Sequence, residues 1–259
     1  MAIITLTTDL GDKDIYQAAL KGSILKLLPS VNIVDITNSV AAYNIQQAAF
    51  ILKNSFYYFP DATVHLIGID TVFNADTRYL AIKYRNHFFV GADNGIFSLM
   101  FETDAEEIVE LNIMQDLKFL HFPLADIFVK AACHLAQGGV LTEIGIPVSG
   151  VEKKMNLQPV IEKSLIKGSV IYIDSFQNVI TNITKEFFNN IQQGRRFQLS
   201  FKRNETIDHL SWHYNEVPEG EKLCLFGISD HLEIAINKGN ASGLLGLNLG
   251  DSVVIDFFD

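Results

Sequence analysis

Asp9, Asp12 and Asp14 crowd the segment Thr7-Thr8-Asp9-Leu10-Gly11-Asp12-Lys13-Asp14, directly after the apolar run Ile3-Ile4-Thr5-Leu6. The β-branched run reads as a buried first strand, and a Gly-containing turn and a helix follow it. Carboxylates clustered where a strand ends and a helix begins lie where open α/β sheets bind ligands. Acids so placed suit ribose hydroxyls, an ammonium or a metal; a phosphate would want Gly-rich backbone and Lys here. The competing reading is helix capping by Asp12, with the remaining charge solvated. His65, His87, His134, His209, His213 and His231 show no metal-ligand spacing with one another, so no metal and no cofactor is expected.

The elements that must position these acids follow from periodicity. Ile15, Ala19, Gly22, Leu25 and Leu28 recur at helical spacing, and Pro29 stops that helix. Val31 to Ile36 reads as a strand, Tyr43 to Leu52 as a helix, and Thr63 to Ile69 as an apolar strand running into Asp70. Leu80 to Tyr84 and Phe88 to Gly91 read as strands, and Asp126 to Ala136 as a helix stopped by Gly138-Gly139. This alternation implies an α/β N-terminal domain with a mostly parallel sheet. From Gly168 the pattern changes to short, closely spaced strands (Asn178 to Ile183, Phe197 to Phe201, Lys222 to Phe226, Leu232 to Ile236, Val253 to Phe258) with one helical patch near Ala241 to Leu245. That is the pattern of a smaller β-barrel or sandwich. The expected domains are residues 1–155 and 165–259, divided in the polar stretch from Val151 to Lys167.

Composition narrows the function classes. The 259 residues are 48% hydrophobic, enough for a sizeable core in one large domain or two smaller ones. A net charge of -10 without basic runs argues against non-specific nucleic-acid binding. The two cysteines, Cys133 and Cys224, give no disulfide framework. Met1-Ala2 leads straight into the first strand, and no apolar segment reaches membrane-span length, so a soluble cytoplasmic protein is expected.

Six strings, in order, carry a family resemblance over nearly the whole chain. They are the opening segment with Lys21-Gly22; Val34-Asp35-Ile36-Thr37; Phe59-Pro60-Asp61-Ala62-Thr63-Val64-His65; and Val90-Gly91-Ala92-Asp93-Asn94-Gly95-Ile96-Phe97. Then come Ile173-Asp174-Ser175-Phe176-Gln177-Asn178-Val179-Ile180-Thr181-Asn182-Ile183, and Leu232 to Asn237 with Gly239-Asn240-Ala241 and Leu244 to Leu247. The chain resembles the S-adenosylmethionine hydroxide adenosyltransferases, the family that also includes the fluorinase and chlorinase. The resemblance implies an α/β domain followed by a β-barrel, and a homotrimer whose ligand lies between the N-terminal domain of one subunit and the C-terminal domain of the next. It also implies hydrolysis of S-adenosylmethionine to adenosine and methionine by substitution at C5′.

Position by position, the resemblance gives Asp9 the ribose hydroxyls, since one carboxylate accepts from two donors. It gives Asp14 the methionine ammonium, Tyr43 a packing role, Asp174 methionine or adenine contacts, Phe176 the adenine face and Asn178 its edge. Barrel core for Phe176 and a turn role for Asn178 are the alternatives. Asp70 matches the family's nucleophile-activating Asp. The family's Arg position holds Thr77 instead, with Arg78 beside it, and the family's His position, in the stretch Phe122-Pro123-Leu124-Ala125-Asp126, holds Pro123. Phe73 and Leu124 also look large and apolar for a water pocket, and Trp212 reads as barrel packing. His121 and Arg78 are candidate substitutes for the lost groups; a plain histidine and a strand-flank ion pair are the alternatives. Slow hydrolysis is therefore expected, with a non-catalytic adenosine- or S-adenosylmethionine-binding protein as the other reading.

Overall fold

Strand β1 (Ile3–Thr8) lies inside its sheet because its residues alternate between two apolar layers. Ile4 and Leu6 join one core cluster, while Thr5 and Thr7 turn to the opposite face. The computed structural model describes residues 2–71, 77–202 and 205–259. They divide into two units, one ending at Met155 and the other starting at Asn156. No helix among the described residues is long and apolar enough to cross a membrane.

In the first unit β1 is followed by α1 (Ile15–Leu27), β2 (Asn32–Thr37), α2 (Ile45–Lys53), β3 (Val64–Gly68), β4 (Tyr79–Tyr84), β5 (His87–Ala92), α3 (Ile96–Met100), β6 (Glu107–Leu111), α4 (Ile127–Ala136) and β7 (Gly145–Pro147). The sheet order is β2-β1-β3-β5-β4-β6-β7. The expected mostly parallel sheet is corrected to a mixed one. β2, β1, β3 and β5 run parallel, while β4, β6 and β7 join antiparallel. The cause is a two-residue link: Arg85 and Asn86, at φ of 49° and 62°, join β4 to β5. Only a hairpin fits so short a connection, since a parallel crossover needs a dozen residues or more. The core cluster containing Ile4, Leu6, Leu66 and Val90 also holds the buried faces of α1 and α4. The cluster containing Ile67, Ile69 and Phe89 holds those of α2 and α3. Helix α1 buries Leu20 and Ile24 and exposes Ile15 and Leu25, so its inward stripe is not the one its spacing suggested.

Between β1, β3 and β5 lies a buried polar chain. His65 Nδ1 is 2.7 Å from Thr5 Oγ1, and His65 Nε2 is 3.1 Å from His87 Nδ1. Phe89 stacks on His65, and Phe56 meets both imidazoles edge-on. Burial, helped by the neighbouring His87, drops His65 to about 3. Burial lowers His87 as well, opposed by Asp61. An unfolded histidine titrates near ~6.5. Below that pH the unfolded chain takes up protons that folded His65 refuses until about 3, so stability is full above the unfolded value and falls as the pH drops. Denaturation midpoints should therefore decline as the medium is acidified below about pH 6.5, with His65 contributing up to ~1.4 kcal/mol per pH unit. His65→Gln should flatten that slope. Equal slopes for the two proteins in denaturant titrations would contradict the assignment.

The second unit runs β8 (Val160–Ile161), β9 (Leu165–Ile173), β10 (Val179–Thr184), α5 (Lys185–Gln192), β11 (Arg196–Phe201), β12 (Glu205–Ile207), β13 (Lys222–Phe226), β14 (His231–Ile236), α6 (Ala241–Leu245) and β15 (Ser252–Phe258). All its pairings are antiparallel, in the order β12-β11-β15-β9-β10-β14-β13, with β8 added beside β9. After β12 the chain returns to β13, where Ser211 N–H donates to Cys224 O at 2.8 Å, and the sheet is a nearly closed barrel. Its interior holds Phe188, Phe197, Leu199, Ile234, Val253 and Ile255.

Candidate functional site

The acids of the opening segment leave the sheet where parallel strands end. β1 and β3 pair in register, Thr8 opposite Gly68, so Asp9 and Asp70 follow the ends of adjacent strands. Asp9 Oδ2 accepts the Tyr43 N–H at 2.9 Å, and the Asp9 N–H donates to Gly68 O at 3.3 Å. Gly11 N–H to Asn38 O at 2.7 Å and Thr8 Oγ1 to Asn38 Oδ1 at 2.7 Å tie the same turn to the end of β2. Asn94 Nδ2 holds Ile69 O at 3.0 Å, fixing the backbone just before Asp70. Two residues here adopt the left-handed region without being glycine: Tyr43 at φ 63° and Asp70 at φ 47°. Such strain concentrates where a side chain has to be aimed. Tyr43 is 68% exposed, and Asp70 is exposed too. Asp14, not Asp12, is the N-cap residue of α1; its side chain makes no capping bond and is open to solvent.

The residues at the expected activating positions and their candidate substitutes are apolar, already engaged or on the surface. Leu124 is fully buried against Gly68 and Thr8, leaving no room for a Cβ at position 68. Pro123 is buried at the start of a single tight helical turn, and Phe122 meets Tyr16 edge-on at 5.5 Å. His121 lies on the surface. Arg78 is ion-paired with Asp93, whose side chain is 3% exposed, and also reaches Gly150 O at 3.4 Å. Asp93 in turn accepts the Glu152 N–H at 2.8 Å, so Arg78 is built into the end of the unit. Phe73 lies outside the described residues.

The second unit carries a cavity of about 890 Å³ lined by Asp174, Phe176, Asn178, Tyr214, Glu233 and Lys238, among others. Asp174 accepts from Asn178 twice, from the backbone N–H at 2.8 Å and from Nδ2 at 3.1 Å. Gln177 at φ 67° completes this tight loop, and Ser242 N–H clips it to α6 by donating to Gln177 O at 3.0 Å. Phe176, at the loop tip, is 80% exposed and is not barrel core. Asn178 is buried with its amide nitrogen held by Asp174, which leaves the amide oxygen as its free acceptor. Trp212 is exposed as well, so the expectation of barrel packing is corrected: it sits in the link between β12 and β13, outside the apolar interior. Glu233 and Tyr214 were missed by sequence reasoning; the signal was an acid inside the otherwise apolar run Leu232 to Ile236.

Comparison with known proteins decides the family. Residues 4–145 match the model of the SAM hydroxide adenosyltransferase N-terminal domain, and residues 168–254 match the C-terminal domain of the same family. The chain belongs to the S-adenosylmethionine hydroxide adenosyltransferase family. Among this family's members, the (R)-S-adenosyl-L-methionine hydrolase of Methanocaldococcus jannaschii is 27% identical over 98% of this chain and 95% of its own. The Thermus thermophilus hydrolase is 25% identical over 96% and 98%. A fluorinase from an Actinoplanes species is 23% identical over 72% of this chain and 70% of its own. Among solved structures, an uncharacterised conserved protein from Thermotoga maritima superimposes with a TM-score of 0.88 at 28% identity, covering 98% of this chain and 99% of that one.

Proposed function

We propose that this adenosyltransferase-family protein binds S-adenosylmethionine and hydrolyses it slowly to adenosine and methionine. The observation that carries the reading is the delivery of Asp9 and Asp70 to the ends of the adjacent parallel strands β1 and β3. Asp9 is aimed by the Tyr43 N–H and keeps its other oxygen for the ribose hydroxyls. Asp14 receives the methionine ammonium and Tyr43 packs on the ligand. Phe176 covers the adenine face, and Asn178, held by Asp174, reads its edge.

In the reaction a water oxygen bonds to C5′, the C5′–S bond breaks, and its electron pair stays on sulfur as neutral methionine. The water's proton passes to Asp70. The sulfonium needs no acid, so the protein's task is to place and activate the nucleophile. The slowness follows from Thr77 and Pro123 at the Arg and His positions, with Arg78 engaged by Asp93 and His121 on the surface. Each lost group is worth on the order of 10²- to 10⁴-fold in rate. Incubation with S-adenosylmethionine and chromatography of the products tests the reading: adenosine and methionine in equal amounts support it, and 5′-methylthioadenosine alone contradicts it.

The assembly belongs to the same proposal. The exposed apolar side chains of Ile15, Tyr16 and Leu25 on α1, and of Phe176, Trp212 and Ile228 in the second unit, are candidates for burial between copies of a homotrimer. The shared site would then take residues from neighbouring subunits. Light scattering should give three times the chain mass, and a monomer that still binds ligand would refute it.

A further inference from the structure

A residue with a Cβ has to be held in the left-handed region, because that backbone conformation is unfavourable for it. Asp70 is such a residue, at φ 47° and exposed beyond the end of β3. The peptide carbonyls on either side of it are both gripped by side chains. Asn94 Nδ2 donates to Ile69 O at 3.0 Å, and Tyr79 Oη donates to Thr71 O at 3.2 Å. The fold brings both donors to this edge of the sheet. β3 and β5 are parallel, so Asn94, which follows β5, emerges beside the residues that follow β3. β4 is antiparallel to β5, with Tyr79 opposite Ala92, so β4 begins where β5 ends. The hairpin that makes the sheet mixed therefore supplies the second grip. Each donor is itself fixed. Asn94 Oδ1 accepts the Ile96 N–H at 3.2 Å, which turns its Nδ2 toward Ile69. Tyr79 is buried with its ring edge-on to Phe128 at 4.8 Å. Burial pushes its hydroxyl up to about 12, so it stays a donor at neutral pH.

We infer that Asn94 and Tyr79 are positioning residues for the hydrolysis: by holding the Ile69 and Thr71 carbonyls they keep the Asp70 carboxylate aimed at the attacking water. This rests on the role of Asp70 proposed above and names what orients that residue. A buried phenol takes a hydrogen-bond partner in any fold, and an asparagine before a helix commonly bonds the backbone two residues on. Here the two bonds bracket a single strained acid, so losing either one frees the same carboxylate. Both side chains act through Asp70, and their loss should slow the chemical step while leaving ligand affinity alone.

Two mild variants, each made alone and together with Asp70→Asn, test this. Tyr79→Phe removes the hydroxyl and keeps the ring. Asn94→Ser keeps an acceptor for the Ile96 N–H but is too short to reach Ile69 O. Each should slow single-turnover release of adenosine by about threefold or more, up to the effect of Asp70→Asn itself. Calorimetric affinity for S-adenosylmethionine should stay within about twofold of the wild type. Added to Asp70→Asn, either change should slow release almost no further, because the group it aims is gone. A merely structural role would slow release by the same factor in both backgrounds. Such additivity overturns the inference, and so does an affinity that falls with the rate or a rate unchanged in both variants. Should one variant fold poorly, the other decides by the same comparison. A wild type that forms no adenosine, or an Asp70→Asn protein as fast as the wild type, shows instead that the proposed reaction or its base is wrong, and this inference falls with it.

Discussion

Asp9→Ala is expected to weaken adenosine and S-adenosylmethionine binding by roughly ten- to a hundredfold while leaving the fold intact. Among the described residues the carboxylate makes one bond, to the Tyr43 N–H, and it sits half-exposed beyond the end of β1. Removing it strips the ribose hydroxyls of a charged acceptor, a loss of about 1.5–3 kcal/mol. It also frees Tyr43, whose left-handed backbone is held by that bond. Asp9→Asn keeps a neutral acceptor for Tyr43 and should fall between the wild type and the alanine variant. Calorimetric titration with adenosine reads all three. An unchanged adenosine affinity in a folded Asp9→Ala protein would remove Asp9 from the site.

The second large effect is a gain. Thr77→Arg combined with Pro123→His should raise the rate of adenosine release by about 10²-fold or more. A water beside Asp70 alone has a base but no positive group to steady the hydroxide it becomes. The double change supplies both missing groups, so the effect of Asp70→Asn should grow with it, modest in the wild type and severe in the double variant. Leu124 is the steric obstacle, because it fills the space over Gly68. Adding Leu124→Gly makes room, at a stability cost of about 2–5 kcal/mol for emptying a buried site. Single-turnover measurement of adenosine release compares these proteins. No gain in a folded double variant, or a wild type already releasing adenosine at about 1 s⁻¹ or faster, would show that other groups activate the water.

Much of this was legible in the residues. The β1 run and the acids after it gave the strand end, the turn and the start of α1, because period-two burial and a Gly turn are local signals. The helical patch at Ala241–Leu245 was legible too, and Asn240 caps it by accepting the Gly243 N–H at 2.6 Å. The hairpin between β4 and β5 was not, since Arg85-Asn86 lacks the Gly that marks such turns. Helix α5 escaped notice although Thr184 caps it, because it buries Phe188 alone. The inward face of α1 was misread because Ile15 and Leu25 are apolar and yet exposed, a pattern a single chain does not explain. The pairing of Glu233 with Tyr214 spans 19 residues and depends on barrel closure, which no local spacing encodes.

The central claim is that water attacks C5′ and methionine leaves. Turnover of S-adenosylmethionine by the pure protein in ¹⁸O-labelled water tests it most directly. Adenosine should carry the label on its 5′ oxygen, and methionine should appear unlabelled in equal amount. Labelled methionine, or a wild type that binds S-adenosylmethionine yet never forms adenosine, would contradict it.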